Sequence, residues 1–192
     1  MWQLLLGLVL FIGVHSMSIV ALPLRDGLAA KNEIAWKALY GVVSLIGIVL
    51  VADAYSGIRH TAMVIYDAPD WLRYVAMVLL APAFVLFPAP YFPGRIKAAA
   101  KHPQLLAVKL WALAHLLVNG TVADILLFGS FMAWAVADRI SMKRRVARPL
   151  SGAPESGVND AIVVVIGLVL YTVTLFWFHE RLIGVDPFGT AP

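Results

Sequence analysis

The amino-acid sequence predicts an all-α protein, a single polytopic transmembrane bundle of six helices over residues 1–192, with both termini non-cytoplasmic. Three observations carry this expectation. The chain is 61% hydrophobic and only 14% charged, where a soluble domain carries roughly 25% charged residues. Its apolar residues gather into six runs close to the ~20 residues that a membrane-crossing helix needs. Its basic residues then concentrate in alternate connections, which sets the direction of each crossing.

The first helix is expected at 2–22. No Lys or Arg precedes that run, and a cleaved leader normally opens with positive charge, so the run reads as a retained span. The second, at 36–56, begins at Trp36, and its Gly41 and Gly47 offer smooth patches for helix contacts. The third, at 71–90, contains Pro82 and ends at the FPAP stretch, so a kink and an abrupt stop are expected. The fourth and fifth, at 104–120 and 121–139, are parted only by Asn119, Gly120 and Thr121, which makes them antiparallel neighbours. The sixth, at 160–180, is rich in Val and Ile, which does not oppose a helix in lipid, where only helices and closed barrels satisfy the backbone.

The connections after helices one, three and five carry Arg25, Lys31 and Lys37; Arg95, Lys97 and Lys101; and Arg139, Lys143, Arg144, Arg145 and Arg148. The opposite side has Arg59, Arg73 and Arg181. The positive-inside rule assigns the strongly basic side to the cytoplasm. Segments 57–70 and 94–102 mix basic, aromatic and small residues as interfacial pieces do. Trp2, Trp36, Trp71, Trp177, Tyr74 and Tyr91 lie at expected helix ends, where aromatic belts form. Residues 147–159 have the composition of a linker.

Cysteine is absent. Disulfides, thiolate metal sites, cysteine-ligated iron–sulfur clusters and covalently attached haem are thereby excluded. The formal charge of +4 lies in loops between apolar runs, so no nucleic-acid partner is implied. Walker, Rossmann, G-x-S-x-G and His-Glu-x-x-His patterns are missing from the chain.

Two histidines fall inside spans, and ionisable groups at membrane depth mark functional sites by default. His15 lies about 10 Å, and His115 about 16 Å, from the cytoplasmic ends of their helices at 1.5 Å per residue. That offset allows two neutral imidazoles to clamp a metal or the iron of a tilted porphyrin, each ring directing its second nitrogen at an acceptor. Ser16, Ser18 and Asn119 are candidate acceptors or donors nearby, and Gly7, Gly13 and Ala112 offer low relief for a flat macrocycle. The alternative is that each histidine only locks helix packing, a contact averaging ~0.6 kcal/mol. Lys109 is read as a snorkelling anchor, or as a partner for a haem propionate or an acidic headgroup. Asp53 and Asp124 read as solvated caps or interhelical polar contacts, and His60, His102 and His179 as loop or interface residues.

The stretches FIGVHS, WKALYGVVSLIG, KHPQLLAVKLWALAHLLVNG and LLFGSFMAWAVADRIS, taken in this order, resemble the NnrU family of bacterial membrane proteins over roughly residues 3–145. That resemblance implies a bacterial inner-membrane location and a link to nitrite and nitric oxide reduction, with reductase components as possible partners. The family is related to the plant 15-cis-zeta-carotene isomerase, which holds a b-type haem with histidines and isomerises a polyene. On that relationship the ligand motifs carry over to His15 and His115. The absence of cysteine departs from any scheme using a thiolate as an alternative iron ligand. Three functions therefore stand as expectations: a haem b protein of nitrogen-oxide metabolism, a haem-dependent isomerase of a polyene lipid, and a non-catalytic assembly factor for a reductase.

Overall fold

A computed structural model describes residues 1–146 and 150–188. Arg148 and the first part of the expected linker lie outside the described residues. The elements are helical: α1 (Trp2–Val20), α2 (Leu22–Lys31), α3 (Glu33–Ile58), α4 (Leu72–Leu86), α5 (Arg95–Ala100), α6 (Pro103–Val118), α7 (Val122–Ser141) and α8 (Val158–Val173). A 3-10 turn follows α4 at Ala89–Tyr91, and α8 continues as a π-helix over Thr174–Ile183. Among the described residues, β pairing is confined to one isolated bridge, Val64 to Thr121.

Local chemistry explains the boundaries. α1 stops because Ala21 leaves helical geometry and Pro23 opens α2, a short helix that the expected connection did not contain. α3 begins earlier than expected because the Asn32 side chain accepts the Ala35 N–H at 2.9 Å, an N-cap followed by Glu33 in the first turn. Pro82 sits inside α4, and the α-helix gives way at Leu86, ahead of Pro88. Pro103 starts α6, with His102 at its boundary, where a missing N–H costs nothing. α7 opens with a capping box between Thr121 and Asp124.

Among the described residues, four helical stretches are long and apolar enough to cross a membrane: Trp2–Val20, Glu33–Ile58, Leu72–Tyr91 and Val158–Ile183. The other two expected spans are weaker by that measure. α6 has 16 residues, and α7 carries Asp124, Asp138 and Arg139. Large apolar side chains such as Val42, Leu45, Val78, Val165 and Phe176 face outward. Water would not tolerate so extensive an apolar surface on a monomer, so this is the outside of a multi-pass membrane protein. Inside are Leu4, Leu8, Val51, Ala112, Leu127, Phe128 and Phe131. Trp36, expected in an interfacial belt, is buried at 8% exposure.

Close backbone contact sets the helix crossings. A Cβ on Gly7 would lie 2.8 Å from Val51 N, and one on Gly47 would lie 2.7 Å from Phe11 N, so α1 and α3 cross on glycine. Gly7 is therefore spent on helix packing rather than on a macrocycle, while Gly13 and Gly41 meet nothing within 4 Å. Gly167 plays the same part where α8 crosses α4, its Cβ position falling 2.5 Å from Val85 Cα.

The connections sort onto two ends of the bundle. At one end, Arg145, four residues past the end of α7, donates to Ser18 O at 3.1 Å and pairs with Asp138. At the same end, Asp160 at the start of α8 accepts the Ile96 N–H at 2.9 Å and the Arg95 N–H at 3.1 Å. At the other end, Gln3 donates to Asp53 at 2.8 Å, and Arg59 and Arg73 donate to Gly184 O and Phe188 O. The loop before α4 docks there on the α6–α7 turn through Ile65 N to Gly120 O at 2.8 Å and Val122 N to Met63 O at 2.9 Å. In that loop the Tyr66 hydroxyl reaches Leu116 O and Asn119 O, and burial pushes its pKa upward.

Candidate functional site

A cavity of about 540 Å³ lies within the bundle, walled by α3, α4, α6, α7 and α8 with its π-helical continuation. Its polarity is graded. α3 contributes Ile48 at one end and Arg59 at the other, and α4 contributes Arg73 and Phe84 in the reverse direction. Each pair spans eleven residues of helix, so the chamber is about 16 Å deep at 1.5 Å per residue. Trp111, Phe131, Leu80 and Phe84 make its deep part apolar, while Arg59, Arg73, Asn119, His179 and Asp186 gather at the mouth. The mouth lies at the end that holds the N-terminus, the loop before α4 and the tail after the π-helix.

His115 sits one turn inside the mouth. Its Nδ1 is 2.8 Å from Trp111 O, one turn back on α6, and its ring stacks on Phe128 at 4.6 Å. His179 stands across from it, with Nδ1 2.8 Å from Val185 O. A carbonyl accepts only from a protonated nitrogen, so each neutral ring holds its hydrogen on Nδ1 and leaves the Nε2 lone pair for a ligand. The ring centroids are 6.5 Å apart with 24° between the planes. The π-helix positions His179: its wider turns follow the regular α8 and carry the residue to the cavity wall. Such turns occur often at functional sites.

The structure does not bring His15 and His115 together. His15 belongs to α1, which does not line the cavity. Its Nδ1 is 2.7 Å from Phe11 O, and its ring packs against Phe11, Tyr40 and Trp134. Phe11, Phe131 and Trp111 intervene between the two imidazoles as a chain of ring contacts. On α7, the neighbour of His15 (Trp134) and that of His115 (Phe128) are six residues apart, about 9 Å along the axis. Neither Ser16 nor Ser18 supplies the partner of the His15 Nδ1; the carbonyl of Phe11 does.

The remaining expected residues divide similarly. Asn119 lines the mouth and caps α6, its Nδ2 donating to His115 O at 2.9 Å rather than to the ring. Lys109 is half-buried on α6 and is not part of the cavity wall. Asp124 is 4% exposed, so of its two expected roles it fills the interhelical contact and not the solvated cap, accepting the Tyr55 hydroxyl of α3 at 2.5 Å and the Thr121 N–H at 2.8 Å. Asp53 makes the expected interhelical contact, to Gln3. His179, read from sequence as a loop or interface residue, is the site residue that reasoning missed. Its neighbours Glu180 and Arg181 disguised it as a solvated helix end, and nothing in the local pattern marks the change from α to π geometry.

Among the described residues, no group of three or more His, Asp or Glu side chains stands ready to hold a bare metal ion. The donor set is instead two imidazoles in an apolar chamber. The family model for the NnrU protein matches residues 3–187. No curated protein and no solved structure matches the chain. The chain belongs to the NnrU family.

Proposed function

We propose that this protein binds haem b inside the membrane, in the chamber between α3, α4, α6, α7 and α8, with His115 and His179 as the iron ligands. One observation carries the reading: two imidazoles, each with Nδ1 committed to a carbonyl, face one apolar cavity at 6.5 Å between ring centroids. Two rings sharing one metal stand on the order of 6 Å apart, given metal–nitrogen bonds of about 2 Å. The apolar wall suits a macrocycle, and the volume falls within the ~300–1,000 Å³ of ordinary ligand sites. Bound there, haem would supply one-electron chemistry or an open coordination position for a small gas.

The resemblance to proteins of nitrite and nitric oxide reduction makes nitrogen-oxide metabolism at the bacterial inner membrane the proposed setting. A polyene isomerase would use the same deep apolar chamber, and an assembly factor would need no cofactor at all. Purified protein from haem-replete expression is expected to show a Soret band and a b-type pyridine haemochrome. His115→Ala and His179→Ala should each remove most of the bound haem, while His15→Ala should keep it. Equal haem in all three variants would overturn the ligand assignment. A wild-type protein with no Soret band would leave the assembly role. Conversion of a cis-carotenoid by the reduced haem protein would select the isomerase. A deletion strain indistinguishable from wild type on nitrite would remove the nitrogen-oxide link.

A further inference from the structure

The mouth of the chamber holds a guanidinium N–H that is left unpaired among the described residues. Arg59 closes α3 and lines the cavity. Its Nε donates to His60 Nε2 at 3.0 Å and its Nη2 to Gly184 O at 3.1 Å. Its Nη1 is buried and has no hydrogen-bond partner among the described residues. A buried donor left unmade costs about 1–3 kcal/mol, and more when charged. Arg73, the other guanidinium of the wall, donates from each of its three nitrogens, to Asp70 O, Phe188 O and the Asp70 carboxylate. Asp186, the acidic residue of the wall, accepts the Phe188 N–H at 2.8 Å. Below Arg59 the wall turns apolar.

A chamber with an apolar body and an unsatisfied guanidinium at its rim fits a ligand of the same polarity. We infer that Arg59 receives a carboxylate carried on the edge of the molecule held in the chamber. The site therefore selects apolar ligands with an anionic edge over their neutral counterparts. For haem this edge is a propionate; that identity rests on the function proposed above, whereas the need for an anionic edge does not. Arg59 touches the ligand's periphery and positions it without touching the iron.

The test compares acids with their esters. Cofactor-free wild type, Arg59→Gln and Arg59→Lys are titrated in detergent with haem b and its dimethyl ester, read by the Soret band. A parallel fluorescence titration uses the polyene fatty acid cis-parinaric acid and its methyl ester. Wild type is expected to bind the acid at least about tenfold more tightly than the ester, in line with a charge-assisted hydrogen bond. Arg59→Gln should bring the acid down to the level of the ester, and Arg59→Lys should retain part of the preference. Loss of the Gly184 bond alone would weaken acid and ester alike, so only the difference between them counts. An acid preference that survives in Arg59→Gln overturns the inference. So does equal binding of acid and ester by wild type in both titrations, a result that needs no variant. If no tetrapyrrole binds but an Arg59-dependent preference for parinaric acid remains, the haem reading falls and the role of Arg59 stands.

Discussion

Asp124 shows how a buried charge is held inside this bundle. It is 4% exposed, yet it accepts from the Tyr55 hydroxyl, the Thr121 N–H and the Thr121 hydroxyl. One carboxylate thus caps α7 and ties it to α3, beside the wall that carries His115. Removing it deletes the N3 half of the capping box, whose N-cap is Thr121, and leaves a tyrosine hydroxyl unpaired at about 1–3 kcal/mol. Asp124→Ala is expected to lower the thermal midpoint in detergent by several degrees. The double variant Tyr55→Phe/Asp124→Ala should lose less than the sum of the single changes, because the two groups share one contact. Additive losses in that cycle would mean the bond contributes nothing. Asp124 was visible in the sequence as a helix-end acid; its burial was not, because α3 reaches it only after folding.

At the scale of elements, the crossings are decided by missing side chains. Gly47→Ala would put a methyl group 2.7 Å from Phe11 N, so α1 and α3 must move apart. That variant is expected to melt at a clearly lower temperature, while Gly41→Ala, with open space around it, should melt with wild type. Equal midpoints for the two would remove the glycine crossing as a determinant of the fold. The π-helix makes a second prediction at this scale. Deleting Thr174 removes one residue from the segment and turns everything beyond it by about 100°. His179 then leaves the cavity wall although it remains in the chain. Bound haem should fall as it does in His179→Ala, and unchanged haem content would show that the π geometry does not position the ligand.

The same elements show why the sequence was legible in part. Apolar runs and prolines mark where helices start and stop, and the six expected runs reappear as α1, α3, α4, α6, α7 and α8 with its continuation. α2 escaped because ten residues containing Arg25, Asp26 and Gly27 do not read as a span. The rotation of each helix about its axis escaped as well. It follows from how the folded helices cross: α1 and α3 meet at Gly7 and Gly47, with His15 against Tyr40 and Trp134, while His115 on α6 meets the cavity. Depth along a helix can be counted from sequence; facing cannot.

For the whole molecule, the two ends of the bundle differ in charge and in openness. Arg95, Lys97, Lys101 and Arg145 mark one end, and the mouth of the cavity marks the other. The positive-inside rule puts the basic end in the cytoplasm, so the chamber is expected to open on the opposite side. Because the chain has no cysteine, single substitutions report topology cleanly. Met63→Cys, near the mouth and exposed, should react with a membrane-impermeant maleimide on intact spheroplasts. Ala98→Cys, on α5 and exposed, should react only after permeabilisation. The reverse pattern would invert the bundle.

The fifth wall of the chamber has a consequence for biogenesis. α8 is translated after α3, α4, α6 and α7, and without it the compartment has an open flank and lacks His179. On the proposed reading, a guest held between His115 and His179 would therefore enter only once α8 and its π-helical extension are made. It would come from molecules already dissolved in the membrane or waiting at its surface.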